Sequence, residues 1–350
     1  MKNNLIKLMM LAVASFIGMN GDGQTAYITN STDATISVIN VASNTVEATI
    51  PVGSNPAGVA VSQDGSKVYV ALDNPGSVIE INTANNSISD SVNVGNGPYS
   101  LAVTPDGSKI YVGNTSAETV SIINTSAFSV IATLGVYNLP VATAVSTDGS
   151  AAFEVNYYDN NISVISTSTN TVTKYIQGIT HGEGIAVSPD GSKLYVTHRA
   201  GVVSVISLTT DSITTLITVG VRPWGICVSP DGSRLYIANQ GDSSVSVINA
   251  INNSVLATIS VGSSPTGISI SPDGSKVLVA NNGSNTVSVI NTSSNTVTAT
   301  IPVGNGPVAF GNFISSVTTG IPIISNVLNN PFTIYPNPTN CKENICKLSC

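Results

Sequence analysis

The sequence has few charged residues and few of the residue types that usually carry chemistry. Asp, Glu, Lys and Arg together make up 9% of its 350 residues, and it contains 2 His, 4 Cys and 1 Trp. The net charge is −7 and no basic stripe is present. This argues against binding to nucleic acid or to an anionic membrane surface, because both require clustered Lys and Arg. Without a CxxCH motif and with only two histidines, haem attachment is also disfavoured.

Motifs that would identify an enzyme or a metal site are missing as well. The sequence contains no GxSxG, P-loop or HExxH, and no GxGxxG between a strand and a helix. Three cysteines, Cys341, Cys346 and Cys350, lie in the last ten residues, but no His or second CxxC accompanies them to complete a zinc site. Cys227 stands where other copies of the repeat have Ala, which predicts a small buried thiol. We therefore predict no cofactor and no metal.

A repeat of about 42 residues organises the chain. Its clearest copy spans residues 265–304, PTGISISPDGSKVLVANNGSNTVSVINTSSNTVTATIPVG. Four runs alternate apolar and polar residues, which is typical of strands with one buried face, and turn residues separate them. Asp-Gly pairs recur every 42 residues from Asp64, with one step of 41 between Asp190 and Asp231. Counting back from Asp64 to Asp22 gives seven copies.

The repeat predicts an all-β fold, a seven-bladed β-propeller of four-stranded antiparallel blades. One such sheet cannot bury both faces alone, and radial stacking of the copies solves this while leaving only short edges exposed. The first copy lacks its first strand, whereas the chain continues past the last copy with a segment that aligns with that strand. We expect residues 308–314 to complete blade one as a latch between the two ends.

Strands such as Tyr27-Ile28-Thr29-Asn30 and Tyr195-Val196-Thr197-His198, together with the SPDGSK and VSVIN strings, resemble the YVTN family of β-propeller repeats. The resemblance covers roughly residues 22–314. That family includes surface-layer and secreted proteins, so the resemblance implies the fold and an extracellular setting. It implies little about activity, because related propellers include binding scaffolds, lactonases and lyases.

Both ends of the chain depart from the repeat. Residues 1–21 combine Lys2 and Lys7 with an apolar run of about a dozen residues, which predicts a secretory signal peptide rather than a membrane span. Residues 22–314 form the propeller, and 315–350 form a tail. In the tail, the string from Phe332 to Thr339 resembles the start of the C-terminal sorting domain of type IX secretion, but the remainder of such a domain is absent. The predicted localisation is therefore secreted or cell-surface, with no membrane span in the mature chain.

Copies that depart from the repeat suggest a candidate site. The linkers before the first strands and the loops between second and third strands lie on one face of the disc, here called the linker face. On this face, blades four to six carry unusual residues where other blades have small or neutral ones. These residues are Tyr157, His181, Glu183, His198, Arg199, Arg222 and Trp224. Tyr158 follows Tyr157 in the same loop. Aromatic and Arg side chains are typical of binding hot spots.

Three functions remain open from the sequence. The first is a secreted or surface propeller that binds a protein or glycan partner at the linker face. The second is a lyase or lactonase with His181 or His198 as general base and Glu183 as acid or metal ligand, an arrangement that resembles some enzymes with this fold. Here His181 and Glu183, two residues apart on a strand, are expected to point the same way. The third is a structural subunit of a surface layer. Drift on an exposed face, or a His–Glu contact that only stabilises blade five, would explain the same residues without a site.

Overall fold

The protein is a seven-bladed β-propeller in the computed structural model, which describes residues 23–315. Within these residues the chain forms 27 strands and no helix. They group into seven antiparallel sheets, six with four strands in sequence order and the first with three. The predicted fold class and the blade topology are therefore confirmed. The predicted signal peptide and all of the tail after Ser315, including the sorting-domain-like string and the cysteine cluster, lie outside the described residues.

The strands occupy four positions from the axis outward. The innermost strands are β4 (Ser54–Val61), β8 (Pro98–Val103), β12 (Pro140–Val145), β16 (Gly182–Val187), β20 (Pro223–Val228) and β24 (Pro265–Ile270). The second strands are β1 (Thr25–Asn30), β5 (Lys67–Asn74), β9 (Lys109–Asn114), β13 (Ala151–Asn156), β17 (Lys193–His198), β21 (Arg234–Asn239) and β25 (Lys276–Asn281). The third strands are β2 (Thr35–Asn40), β6 (Ser77–Asn82), β10 (Thr119–Asn124), β14 (Asn161–Ser166), β18 (Val202–Ser207), β22 (Ser244–Asn249) and β26 (Thr286–Asn291). The outermost strands are β3 (Thr45–Pro51), β7 (Ser87–Asn93), β11 (Ser129–Gly135), β15 (Thr171–Gln177), β19 (Ser212–Thr218), β23 (Ser254–Ser260) and β27 (Thr296–Pro302).

Burial follows the position of a strand in its blade. Second and third strands are covered on both faces by neighbouring blades, and the central residues of β9 and β18 are all buried. Outermost strands such as β27 alternate between exposed and partly buried residues, because only one face packs. Tyrosines of the second strands, Tyr69, Tyr111, Tyr195 and Tyr236, are among the largest fully buried side chains. Burial of this large apolar surface between blades stabilises the ring.

The Asp-Gly turns between first and second strands are held by the aspartate itself. In blade two, Asp64 accepts hydrogen bonds from the Ser62 hydroxyl at 2.6 Å and from the Ser66 backbone N–H at 3.0 Å. Gly65 has a φ of 71°, a conformation that glycine adopts without strain. The same bonds recur at Asp106, Asp148, Asp190, Asp231 and Asp273. The recurrent Asp therefore has a local structural role in the turn.

The chain after β27 returns to blade one. The N–H of Val308 donates to the carbonyl of Thr29 at 2.9 Å, and the N–H of Tyr27 donates to that of Phe313 at 2.9 Å. A regular innermost strand of blade one was expected here, but the segment makes only isolated bridges, and the sheet of blade one has three strands. The reason is local. Ala309 and Gly311 have φ values of 49° and 116°, so the segment cannot stay extended.

Candidate functional site at the mouth of the central channel

The innermost strands surround a cavity of about 530 Å³ on the propeller axis. Its walls are mostly small or branched apolar side chains, for example Ala60, Ala102, Ala186 and Val187. Among the described residues, Glu183 is the only charged side chain that lines it. Cys227 also lines the cavity and is partly exposed to it, so it is less buried than the sequence predicts. A cavity of this volume, mainly apolar with few polar groups, is typical of small-molecule sites.

Three aromatic rings from distant parts of the chain meet at the linker-face end of this channel. The Phe310 ring lies 4.9 Å from Tyr99 of blade three and 5.9 Å from Trp224 of blade six, centroid to centroid. Phe310 and Trp224 are nearly parallel, with an angle of 14° between their planes. The left-handed residues on either side of Phe310 direct the chain so that its ring enters the channel. The result is an aromatic row, Tyr99–Phe310–Trp224, at the mouth.

Glu183 lies beside this row at the start of β16. Its side chain is 6% exposed, and burial raises its pKa to about 7 in spite of the opposing charges of Arg199 and Arg222. The Arg199 Nη1 atom is 3.8 Å from Glu183 Oε1. Burial raises the pKa of Tyr99, and the charge of Glu183 raises it further, so the two groups share one environment. A carboxyl group with a pKa near neutrality in a cavity is typical of a functional site.

The rim outside Glu183 is formed by blades four and five. Arg199 Nη1 donates to the Tyr157 hydroxyl at 3.4 Å, and the Tyr157 ring lies 4.9 Å from the His181 ring. Tyr158 packs edge-on against Tyr157 at 5.0 Å and is 58% exposed. The structure therefore brings together Tyr157, His181, Glu183 and Arg199, with Arg222 close enough to affect Glu183. Trp224 belongs to the aromatic row and lines the same cavity as Glu183.

His198 does not join this group. Its Nδ1 is 2.8 Å from the Thr180 carbonyl oxygen and its Nε2 is 2.7 Å from the Ser204 hydroxyl, and the residue is 3% exposed. In five other blades an Asn at this position bonds the equivalent Ser, as Asn114 does to Ser121. Burial lowers the pKa of His198. His198 therefore replaces a structural Asn, and both of its ring nitrogens are engaged within blade five.

His181 and Glu183 were expected to point the same way from one strand, but they do not. His181 precedes β16 in a left-handed conformation with a φ of 47°, and it is exposed at the rim, whereas Glu183 is buried. The structure shows no hydrogen bond between these two side chains, both of which lie in the described part. The residue before the Pro position is left-handed in every blade, including Asn55, Leu139 and Arg222. The left-handed backbone at this repeat position therefore separates the direction of the His181 side chain from that of Glu183.

Sequence reasoning overlooked two members of the mouth, Tyr99 and Phe310. Tyr99 occupies the same repeat position as Glu183 and Trp224. Its large side chain differs from the small ones of other copies, and this difference could have identified it as part of the mouth. Phe310 replaces the aliphatic residue found in most copies, as at Ile185 and Ile226, which was a second signal. That the three rings meet across the channel follows only from closure of the ring.

Within residues 23–315, no group of three or more His, Cys, Asp or Glu side chains is placed to hold a metal ion. The same residues contain no helix that is long and apolar enough to cross a membrane.

Comparison with protein families relates part of the chain to lactonases. Residues 209–301 match the family described as "Lactonase, 7-bladed beta-propeller". This match covers the outer part of blade five and blades six and seven, but not Tyr99, Glu183 or Phe310. No curated protein matches the sequence significantly.

Several solved structures share the fold. Kuenenia stuttgartiensis hydrazine synthase superposes with a TM-score of 0.72 at 20% identity, over 78% of this chain and 93% of that one. A functionally unknown protein from Desulfotomaculum acetoxidans superposes with a TM-score of 0.72 at 15% identity, over 82% and 99%. A putative 6-phosphogluconolactonase from Bacteroides uniformis gives 0.70 at 19% identity, over 82% and 98%. At these identities the likeness concerns the fold. The chain is a β-propeller repeat protein.

Proposed function

We propose that this protein is a binding propeller that takes a ring-bearing ligand, such as a glycan, at the mouth of its channel. The observation that carries the proposal is Glu183, a buried carboxyl group with a pKa of about 7 beside an aromatic row. A sugar ring stacks on an aromatic face such as that of Trp224. Its hydroxyls would donate to Glu183 and accept from Arg199. The rigid sheets hold these side chains in place before a ligand arrives.

The site for such a ligand combines an apolar platform with a few directed polar groups. Trp224 is partly exposed, while Arg199 and Arg222 flank the carboxyl group. Large aromatic and Arg side chains dominate binding energies where water is excluded around them. Blades three, five and six have Tyr99, Glu183 and Trp224 at one repeat position, which supports a site on their side of the ring. The other four blades have smaller uncharged residues there, namely Val308, Ala57, Val141 and Thr266.

A glycan array probed with the full chain tests this proposal. We expect a subset of glycans to bind, and we expect Glu183→Gln and Trp224→Thr each to weaken that binding about tenfold or more. Thr is the residue that blade seven carries in place of Trp224, so that variant is compatible with the fold. The matched control is Leu216→Thr on the outer strand of blade five, where blade seven has Thr300. Equal binding by the wild type and both mouth variants would contradict the proposal.

We further propose that the protein acts outside the cytoplasm, at the cell surface or in the medium. The support is the charged start and apolar run of residues 1–21, together with a propeller surface rich in hydroxyl and amide groups. Cell fractionation of the full chain and of a chain lacking residues 2–21 checks this. Retention of both chains in the cytoplasm would contradict it.

The family match favours lactone hydrolysis as a second candidate function. In this reaction Glu183 would take a proton from water as the water attacks the lactone carbonyl. The ring C–O bond then breaks, and the leaving oxygen takes up a proton to give a hydroxy acid. A base with a pKa near 7 suits this step. Hydrolysis of glucono-δ-lactone in a pH-stat should slow about a hundredfold or more in Glu183→Gln. Equal rates with the variant and the wild type would reject this candidate.

A further inference from the structure

A second departure from the repeat lies in the wall of the channel, away from the aromatic row. Four neighbouring positions in blades three and four differ from the other copies. Ser100 stands where the repeat has Gly or Ala, and Thr143 where it has Val, Leu, Ile or Phe. Glu154 stands where every other copy has Val or Ile, and Gly113 where the others have Ala, Thr or Val.

The three polar side chains form one continuous chain of hydrogen bonds. Glu154 Oε2 is 2.6 Å from Thr143 Oγ1, and Thr143 Oγ1 is 2.7 Å from Ser100 Oγ. Glu154 is fully buried between blades three and four, whereas Ser100 and Thr143 line the central cavity. This series of hydrogen bonds therefore connects a buried carboxyl group to the surface of an otherwise apolar channel.

The direction of these hydrogen bonds depends on the proton of Glu154. Burial raises the pKa of Glu154 well above its ordinary value, against the lowering effect of the bonds from Thr143 and from the Ala142 N–H. Glu154 Oε1 has no hydrogen-bond partner among residues 23–315, so a proton there would be unsatisfied. In the ionised form Thr143 donates to Glu154 Oε2, whereas in the neutral acid with its proton on Oε2 this bond is reversed and Glu154 donates to Thr143. Thr143 then donates to Ser100, and the Ser100 hydroxyl keeps its own hydrogen for a further acceptor.

We propose that Ser100, Thr143 and Glu154 form a hydrogen-bond donor station in the channel wall, which binds the carbonyl or ether oxygen of a small, uncharged, mainly apolar molecule. An uncharged molecule fits because a charged one would lose its hydration in this apolar cavity. A single acceptor oxygen fits because the station offers one free hydrogen. The inference goes beyond the mouth site, since it is argued from the hydrogen bonds of Ser100, Thr143 and Glu154 and not from Glu183 or Trp224.

The repeat supplies the variants that test the station. Glu154→Val with Gly113→Ala restores the residues of the other blades, so this double variant is expected to fold while losing the donor chain. Glu154→Gln keeps a donor, because its amide N–H₂ can replace the acid proton opposite Thr143. The control is Leu216→Thr on the outer strand of blade five, which changes neither the cavity lining nor the three residues of the station.

The probes are cyclohexanone, which carries one acceptor oxygen, and cyclohexane, which carries none. Binding is followed by amide NMR shifts of the channel strands. We expect wild type, Glu154→Gln and Leu216→Thr to bind cyclohexanone alike, and the double variant to bind it about fivefold to tenfold more weakly, as for one lost hydrogen bond. The affinity for cyclohexane should be the same for the wild type and all variants. Equal affinity of cyclohexanone for the wild type and the double variant, or no binding to the wild type, would overturn the proposal.

The protonation state of Glu154 can be measured separately by infrared spectroscopy. In the Glu183→Gln background, the infrared spectrum at neutral pH should contain the C=O stretch of a protonated carboxylic acid, and this band should disappear when Glu154→Gln is added. If the band is missing from the start, Glu154 is ionised, Ser100 becomes an acceptor, and the proposal is wrong. If the station binds cyclohexanone but no glycan binds the mouth, only the proposed glycan function fails.

Discussion

Glu154 of blade four occupies the space that Gly113 of blade three leaves open. A β-carbon on Gly113 would lie 2.6 Å from Glu154 Oε1 and 2.9 Å from the Ser100 hydroxyl. The two departures from the repeat are therefore complementary in shape, although 41 residues separate them in sequence. The carboxyl group of Glu154 fits into the wall because its neighbour Gly113 has no side chain.

Gly113→Ala alone should destabilise the protein by about 1–3 kcal/mol, because the added methyl group overlaps Glu154 and the packed blades cannot move apart. Adding Glu154→Val should recover part of this loss, since it removes the contact with Glu154 Oε1 while the Ser100 hydroxyl remains 2.9 Å from the new β-carbon. Denaturant unfolding of the wild type, both single variants and the double variant measures the coupling. Additive effects would mean that the two residues do not share the space as the structure indicates.

Glu183 should make the stability of the propeller depend on pH. Because its pKa is raised to about 7 in the folded protein, the folded state holds an extra proton between the ordinary value of 4.5 and 7. Stability therefore falls as the pH rises through this window, by about 3 kcal/mol in total. Glu183→Gln should be more stable than wild type above pH 7 and similar below 4.5. Thermal unfolding of the wild type and Glu183→Gln across this pH range tests the prediction. An identical pH profile for the two proteins would refute the argument that burial raises the pKa of Glu183.

The Asp-Gly turns should control stability in acid. Hydrogen bonds from Ser188 and Ser192 lower the pKa of Asp190 to about 2, and Asp231 has the same arrangement with Ser229 and Ser233. Their contribution is complete above the ordinary value of 3.8 and is lost as the pH falls towards 2. Asp231→Asn should reduce the loss of thermal stability between these values. Asp73→Asn, at the exposed end of β5, serves as the comparison, and an equal effect of the two would argue against the turn mechanism.

Closure of the ring should depend on the segment that follows β27. Phe313 and Ile314 are 0% and 1% exposed, and the Ser315 N–H donates to the Thr25 carbonyl at 2.8 Å. Removing residues 308–350 should cost about 4 kcal/mol or more through loss of these two side chains and the edge bonds. Removing 320–350 should cost far less. Equal melting temperatures of the two truncated chains would show that the segment does not close the ring.

Much of the fold could be predicted because its determinants are local. Alternation with period two marks β25 and β26, and the turn after β24 is specified by Asp273-Gly274, so a single copy of 42 residues already describes a blade. Repetition then determines the number of blades. The irregular end at Ala309 and Gly311 was missed because alignment with the repeat does not reveal a left-handed backbone.

The candidate site was predicted less well. Comparison between copies selected Glu183 and Trp224, because a residue that differs from its equivalents stands out, and the structure shows that both line the channel. The same comparison also selected His198, whose ring nitrogens take over the hydrogen bonds of a buried Asn. A difference in residue type does not distinguish a ligand-facing side chain from one that makes internal contacts.

The sequence by itself determined the strands, the turns, the seven copies and their antiparallel order, because each depends on residues close together in the chain. Only the tertiary structure decided which side chains meet across the axis and between blades. Phe310 contacts Tyr99 and Trp224 because the ring closes, and Glu154 is accommodated because Gly113 lies in the next blade. These contacts depend on three-dimensional distance and shape, which a repeat pattern does not encode.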